Sequence, residues 1–142
     1  MSVIRISSDM ATRIAYHGEK VYPEECCGAI IGTEQDDIRR ILVVEELHNN
    51  QEANREMRFL ITDDQYREVE KLAARNHLQV LGFYHSHPDH PAEPSRFDLG
   101  QALPWFTYMI QSVLGRRAGI LTAWRLSEDR ARFDQQTLII EG

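Results

Sequence analysis

Apolar positions along the chain recur at two different periods, and the switches between them mark out its elements. Residues 3–6 alternate like a short strand. Ser7-Ser8-Asp9 then offers N-cap chemistry for a helix to about residue 19, with Met10, Ile14, His17-Gly18 and Val21 at helical spacing. Pro23 closes that unit. Residues 26–31 form an unbroken apolar run, which predicts a central strand. Gly32 to Asp37 predicts a turn, and residues 38–47 the returning strand of a hairpin. The stretch 48–56 is polar and unpatterned and predicts a loop, whereas 57–61 is strand-like again. Thr62-Asp63-Asp64-Gln65 is a capping box that opens a helix with Tyr66, Val69, Leu72 and Ala73 on one stripe. Arg67, Glu68, Glu70 and Lys71 make its solvated face.

Gln79-Val80-Leu81-Gly82-Phe83-Tyr84 is apolar on both faces and rich in β-formers, the pattern of a buried strand. Pro88 cannot donate to a sheet ladder and should end it. A short helix starting at Ser95 is expected to continue from Asp98 to Leu103, stopping before Pro104. Residues 106–113, 118–126 and 132–140 read as further strands, the last broken at Asp134, with turns at 114–117 and 127–129. No internal repeat, linker or low-complexity segment interrupts this order. Strand, helix, strands, helix, strand, short helix, strands predicts one α+β domain over residues 1–142. Its expected form is a curved mixed sheet packed by two long helices.

Candidate chemistry is concentrated where the buried strand ends. His85 and His87 share a face if the strand continues through them, because residues i and i+2 point the same way. After seven intervening residues comes Ser95, with Asp98 three positions further on. Each pair has an ordinary explanation: polar residues at a strand end, and a helix cap at Ser95 with an acid at its third position. The cap does not compete with a metal site, since it would hold Asp98 in the first turn of a helix facing the strand end. Zinc takes imidazole nitrogen and carboxylate oxygen, and catalytic zinc keeps three protein ligands and an open position. His85, His87 and Asp98 supply such a set.

Composition narrows the alternatives. A net charge of -6 argues against nucleic-acid binding. No apolar run approaches the roughly 18 residues a membrane span needs. Arg5 and Asp9 interrupt any signal-peptide core near the start. The two cysteines, Cys26 and Cys27, are adjacent and cannot comfortably pair, which suggests a reducing, cytoplasmic setting. A zinc nucleobase deaminase would need His-x-Glu and Pro-Cys-x-x-Cys, and the chain has neither at its candidate site. Trp105 and Trp124 read as core, Trp105 close enough to border the cleft. His17, His48 and His77 have no ligand-spaced partner and read as surface or core residues.

Gly82-Phe83-Tyr84-His85-Ser86-His87-Pro88 followed by Pro94-Ser95-Arg96-Phe97-Asp98 resembles the motif of the JAMM (MPN-plus) zinc metalloproteases: His-x-His, seven residues, Ser-x-x-Asp. That family also carries an upstream glutamate, and Pro23-Glu24-Glu25-Cys26-Cys27-Gly28 matches the segment that holds it. The Glu-x-x-Gly spacing selects Glu25 over Glu24. The resemblance implies a JAMM/MPN fold and one zinc ion held by His85, His87 and Asp98. It makes Glu25 the general base and Ser95 a hydrogen-bond donor to the tetrahedral oxyanion. His90 and Glu93 lie in the motif loop, but the family pattern passes over them. The implied activity is hydrolysis of a peptide or isopeptide bond at the C-terminal glycine of a ubiquitin-fold carrier, such as a sulfur-carrier protein. The same resemblance admits a metal-binding scaffold without catalysis.

Overall fold

The computed structural model describes residues 2–56 and 58–142. Ser7 caps the first helix by accepting from the Met10 N–H, so strand β1 (Val3–Ser7) passes directly into α1 (Ser8–Val21). There follow β2 (Cys27–Gln35), β3 (Ile38–Leu47), α2 (Asp63–Arg75), β4 (Gln79–Pro88), α3 (Arg96–Gln101), β5 (Thr107–Leu114), β6 (Arg117–Leu126) and β7 (Phe133–Glu141).

The expected α+β arrangement with three helices is present, but the sheet is closed. Its order is β1-β3-β2-β4-β5-β6-β7, and β1 pairs parallel with β7 to complete the ring. Pairing is mixed, with β1–β3 and β4–β5 also parallel and the other neighbours antiparallel.

β2 and β4 are buried on both faces, which explains their unbroken apolar runs. Ile30, Leu81 and Tyr84 pack with Ile14 and Met10 of α1, whereas Ala29, Ile31, Val80 and Phe83 pack with Val69 and Ala73 of α2. Neighbouring residues therefore serve opposite layers, with the alternation shifted in phase at the β4 irregularity around Leu81 and Gly82. His17 belongs to the first layer, with its Nδ1 2.7 Å from the Tyr84 hydroxyl, while His48 and His77 are exposed. Among the described residues no helix is long and apolar enough to cross a membrane.

Five local expectations need correction. The predicted turn at 32–37 shrinks to Asp36-Asp37, both at positive φ (54° and 63°), a conformation that short aspartate side chains tolerate in tight hairpins. Gly32 instead marks a register shift inside the β2–β3 ladder, where a Cβ would lie 1.8 Å from the Arg40 carbonyl oxygen. Residues 58–61 are irregular rather than a strand, and Met57 lies outside the described residues. β7 is unbroken at Asp134, whose exposed carboxylate accepts from Arg132 Nε. α3 runs over Arg96–Gln101 behind the expected cap at Ser95, and it stops short of Leu103 because Ala102 is already extended. Trp105 is also not core: it is 37% exposed and lies 4.1 Å from the buried Arg39 guanidinium, away from the histidines.

Candidate metal centre

β4 carries His85 and His87 through to its last residue, Pro88. Cys27 of β2 and Ile110 of β5 flank His85 on either side. Both imidazoles are buried. α3 supplies the facing group through its cap. The Ser95 hydroxyl oxygen accepts from the Asp98 N–H at 3.1 Å, and Asp98 Oδ2 accepts from the Ser95 N–H at 2.9 Å. The capping box thus fixes the carboxylate that faces the strand end.

The three side chains converge on one point. His85 Nε2 lies 3.2 Å from both His87 Nε2 and Asp98 Oδ2, and His87 Nε2 lies 3.1 Å from Asp98 Oδ2. Tetrahedral bonds of about 2.0–2.1 Å would set ligand atoms about 3.3–3.4 Å apart, close to that triangle. Among the described residues this trio can hold a metal ion.

The protonation pattern points the same way. His87 Nδ1 lies 3.0 Å from the Pro91 carbonyl, which can only accept, so the ring proton belongs there and Nε2 presents a lone pair. In that tautomer the lone pair faces a carboxylate oxygen across 3.1 Å, and a metal ion between the two acceptors would satisfy both. His85 Nδ1 has no hydrogen-bond partner, and its ring stacks on Phe59 at 4.6 Å.

The electrostatics are those of a dry site. Burial pushes Asp98 up, but His85, His87 and the Ser95 N–H outweigh it and hold the carboxyl well below its usual range. Burial pulls His85 down, against the opposing pull of Asp98. Glu25, in the loop before β2, is pushed up to about 9 by burial first and by the Asp98 charge second. Its Oε1 is buried without a partner.

Two cavities meet at the trio. One, of ≈ 330 Å³, is lined by Glu25, His87, Pro91, Pro94 and Ser95, with His90 and Glu93 at its exposed wall. The other, of ≈ 460 Å³, is lined by Phe59, Tyr66, Phe83, Tyr108 and Phe133 and shares His85 and Asp98. Glu24 is half-exposed and lines neither. The structure therefore brings Glu25, Ser95 and the three candidate ligands to one place. It leaves His90 and Glu93 outside the trio.

A family model for prokaryotic homologues of the JAB domain matches residues 7–127. The chain belongs to that family. Solved structures agree with this assignment. A Salinibacter ruber (strain DSM 13855) protein is 39% identical, with 96% of this chain and 90% of that chain covered at a TM-score of 0.76. DSY2949 from Desulfitobacterium hafniense, at 24% identity, shares the fold with a TM-score of 0.85, covering 97% of this chain and 92% of its own. A search of curated proteins finds no match.

Several residues around this JAB-domain site were invisible in the sequence. The Pro91 carbonyl sets a histidine tautomer, and Phe59, Tyr66 and Phe133 build a cavity wall from three distant segments. No spacing rule joins such positions. Asn49 lay in an unpatterned polar stretch, and its role below depends on contacts alone.

Glu25 gives the metal-free domain a defined pH response. A carboxyl whose folded pKa is raised contributes stability below its ordinary value, which is lost as pH rises towards the folded value, here about 9. Asp98 and His85 act in the opposite sense, but their contributions change at lower pH. Between about pH 7 and 8, before the buried thiols of Cys26 and Cys27 add their own loss, the metal-free form should lose stability by up to about 1.4 kcal/mol per pH unit. Thermal melts of the chelated protein should show this slope, and Glu25→Gln should flatten it. A slope unchanged in that variant would contradict the assignment.

Proposed function

We propose that this JAB domain is a zinc-dependent hydrolase of a peptide or isopeptide bond, acting at the C-terminal glycine of a ubiquitin-fold carrier of the sulfur-carrier type. The observation that carries the reading is the triangle of His85, His87 and Asp98 with the unpartnered carboxylate of Glu25 on the adjoining cavity wall. Bound there, zinc would polarise the scissile carbonyl and lower the pKa of a water towards about 7.

The chain's own groups supply the rest. With a divalent cation in the site to offset the rise caused by burial and by Asp98, Glu25 would be ionised, able to take a proton from the attacking water and return it to the leaving nitrogen. Ser95 Oγ accepts from the Asp98 N–H, which leaves its hydroxyl proton available to the developing oxyanion. One such donor is typically worth about 10²–10³-fold. Because Glu25 lines the smaller cavity, the leaving nitrogen belongs on that side and the acyl portion towards the aromatic cavity. The free, buried Cys26 and Cys27 fit a reducing, cytoplasmic setting. A scaffold without catalysis is the second reading, but it leaves the buried Glu25 carboxylate without a purpose.

An extended tail can lie beside β4 as an added strand would, and glycine lets its backbone approach the trio closely. The flanking segments are short and polar, which suits a small carrier ending in Gly-Gly with an amino acid or a lysine side chain attached. Replacing the carrier's penultimate glycine with phenylalanine should cost about 10²-fold in rate, the scale of a 1 Å misplacement. Changing the group beyond the scissile bond should matter far less. Mass spectrometry of purified carriers incubated with the zinc form gives both rates. Equal rates on unrelated unstructured peptides would make the protein a general peptidase and remove the carrier from the account.

A further inference from the structure

Glu25 sits two residues before β2 begins, so no sheet ladder holds it. Both of its backbone polar groups are held by the stretch after β3 instead. Its N–H donates to the Arg55 carbonyl at 2.7 Å, and its carbonyl accepts from Asn49 Nδ2 at 3.1 Å. Asn49 is 8% exposed and fully engaged. Nδ2 also donates to the Arg58 carbonyl at 3.0 Å, and Oδ1 accepts from the N–H groups of Gln51 and Leu60, each at 3.0 Å. The amide orientation is dictated, because a flip would set oxygen against two carbonyls and NH₂ against two N–H groups. These bonds also explain why residues 58–61 do not form the expected strand: their polar groups are taken by the loop. The same segment delivers Phe59 onto the His85 ring.

We propose that Asn49 is a positioning residue for Glu25: through the Glu25 carbonyl it sets the backbone from which the carboxylate reaches the metal centre. Glu25 Oε1 has no partner of its own, so backbone anchors carry the burden of placing the side chain. The inference rests on the hydrolase reading for its effect on rate, but the clamp itself can be tested without it.

Asn49→Asp keeps the shape and the acceptor oxygen while removing both donated hydrogen bonds. In the zinc-loaded full chain it should retain its metal and lower kcat by about 10–100-fold, the scale of a small misplacement, with KM little changed. In a Glu25→Gln background the same substitution should cost almost nothing further, as expected for residues acting as a unit. Independently of turnover, hydrogen exchange at the Glu25 amide should accelerate about 10-fold or more, while the Met109 and Ile110 amides stay protected. Asn50→Ala, in the same loop but bonded to the His48 carbonyl and Gln65, should leave both readouts unchanged. Should Asn49→Asp not fold, Asn49→Ser carries the same cycle. Multiplying rate losses in the double variant, or a rate loss with Glu25 exchange unaltered, would overturn the proposal. Faster Glu25 exchange in a protein with no hydrolytic activity would uphold the clamp and refute the hydrolase reading instead.

Discussion

Glu25→Gln should preserve the fold and the metal content yet lower turnover by about 10²–10⁴-fold, the usual worth of a general base. The substitution keeps the volume and removes only the proton-accepting charge. Glu25 is not one of the three converging groups, so zinc should remain at wild-type stoichiometry. The variant should also be more stable than wild type when metal-free at high pH, because it no longer has a buried carboxylate to ionise. A catalytic group that destabilises the empty fold is a familiar cost of function. If Glu24→Gln abolishes turnover while Glu25→Gln does not, the choice between the two neighbours is wrong.

The second large effect concerns the metal. His85→Ala and Asp98→Asn should each reduce bound zinc from about one equivalent to a small fraction, since ligand number and charge set an affinity built on deprotonated groups. Asp98→Asn is the more telling of the two. A carboxamide oxygen in the place of Asp98 Oδ2 can still accept from the Ser95 N–H and preserve the cap, but that same atom then turns no negative charge towards the imidazoles. Loss of zinc with α3 intact would separate the two roles of Asp98. Elemental analysis after gel filtration reads the stoichiometry, and unchanged zinc in the His85→Ala, Asp98→Asn double variant would sink the ligand assignment.

Much of this site was legible in the sequence because its key residues obey local rules. His85 and His87 share a face through the two-residue period of a strand, and Ser95 and Asp98 are joined by a capping box three residues long. The long-range part was not legible in the same way. Glu25 could be named from the resemblance, but its burial and its anchors come from Asn49 and Arg55, more than twenty residues on. Closure of the sheet depends on β1 pairing with β7 across almost the whole chain. Gly32 misled in the opposite direction: it reads as a turn, whereas tight approach to Arg40 makes it part of a strand. The aromatic cavity was invisible for the same reason as the closure, since Phe59, Tyr66, Phe83, Tyr108 and Phe133 come from five separate segments.

Metal-dependent hydrolysis at a carrier's terminal glycine is tested most directly by one comparison. A ubiquitin-fold carrier ending in Gly-Gly, with one amino acid attached by a peptide bond, is incubated with the zinc-loaded protein and with the same protein after chelation, and intact masses are followed over time. The account predicts loss of that single residue with zinc, none after chelation, and recovery when zinc is returned. Release at equal rates with and without metal, or no release from any such carrier by protein carrying a full equivalent of zinc, would contradict it.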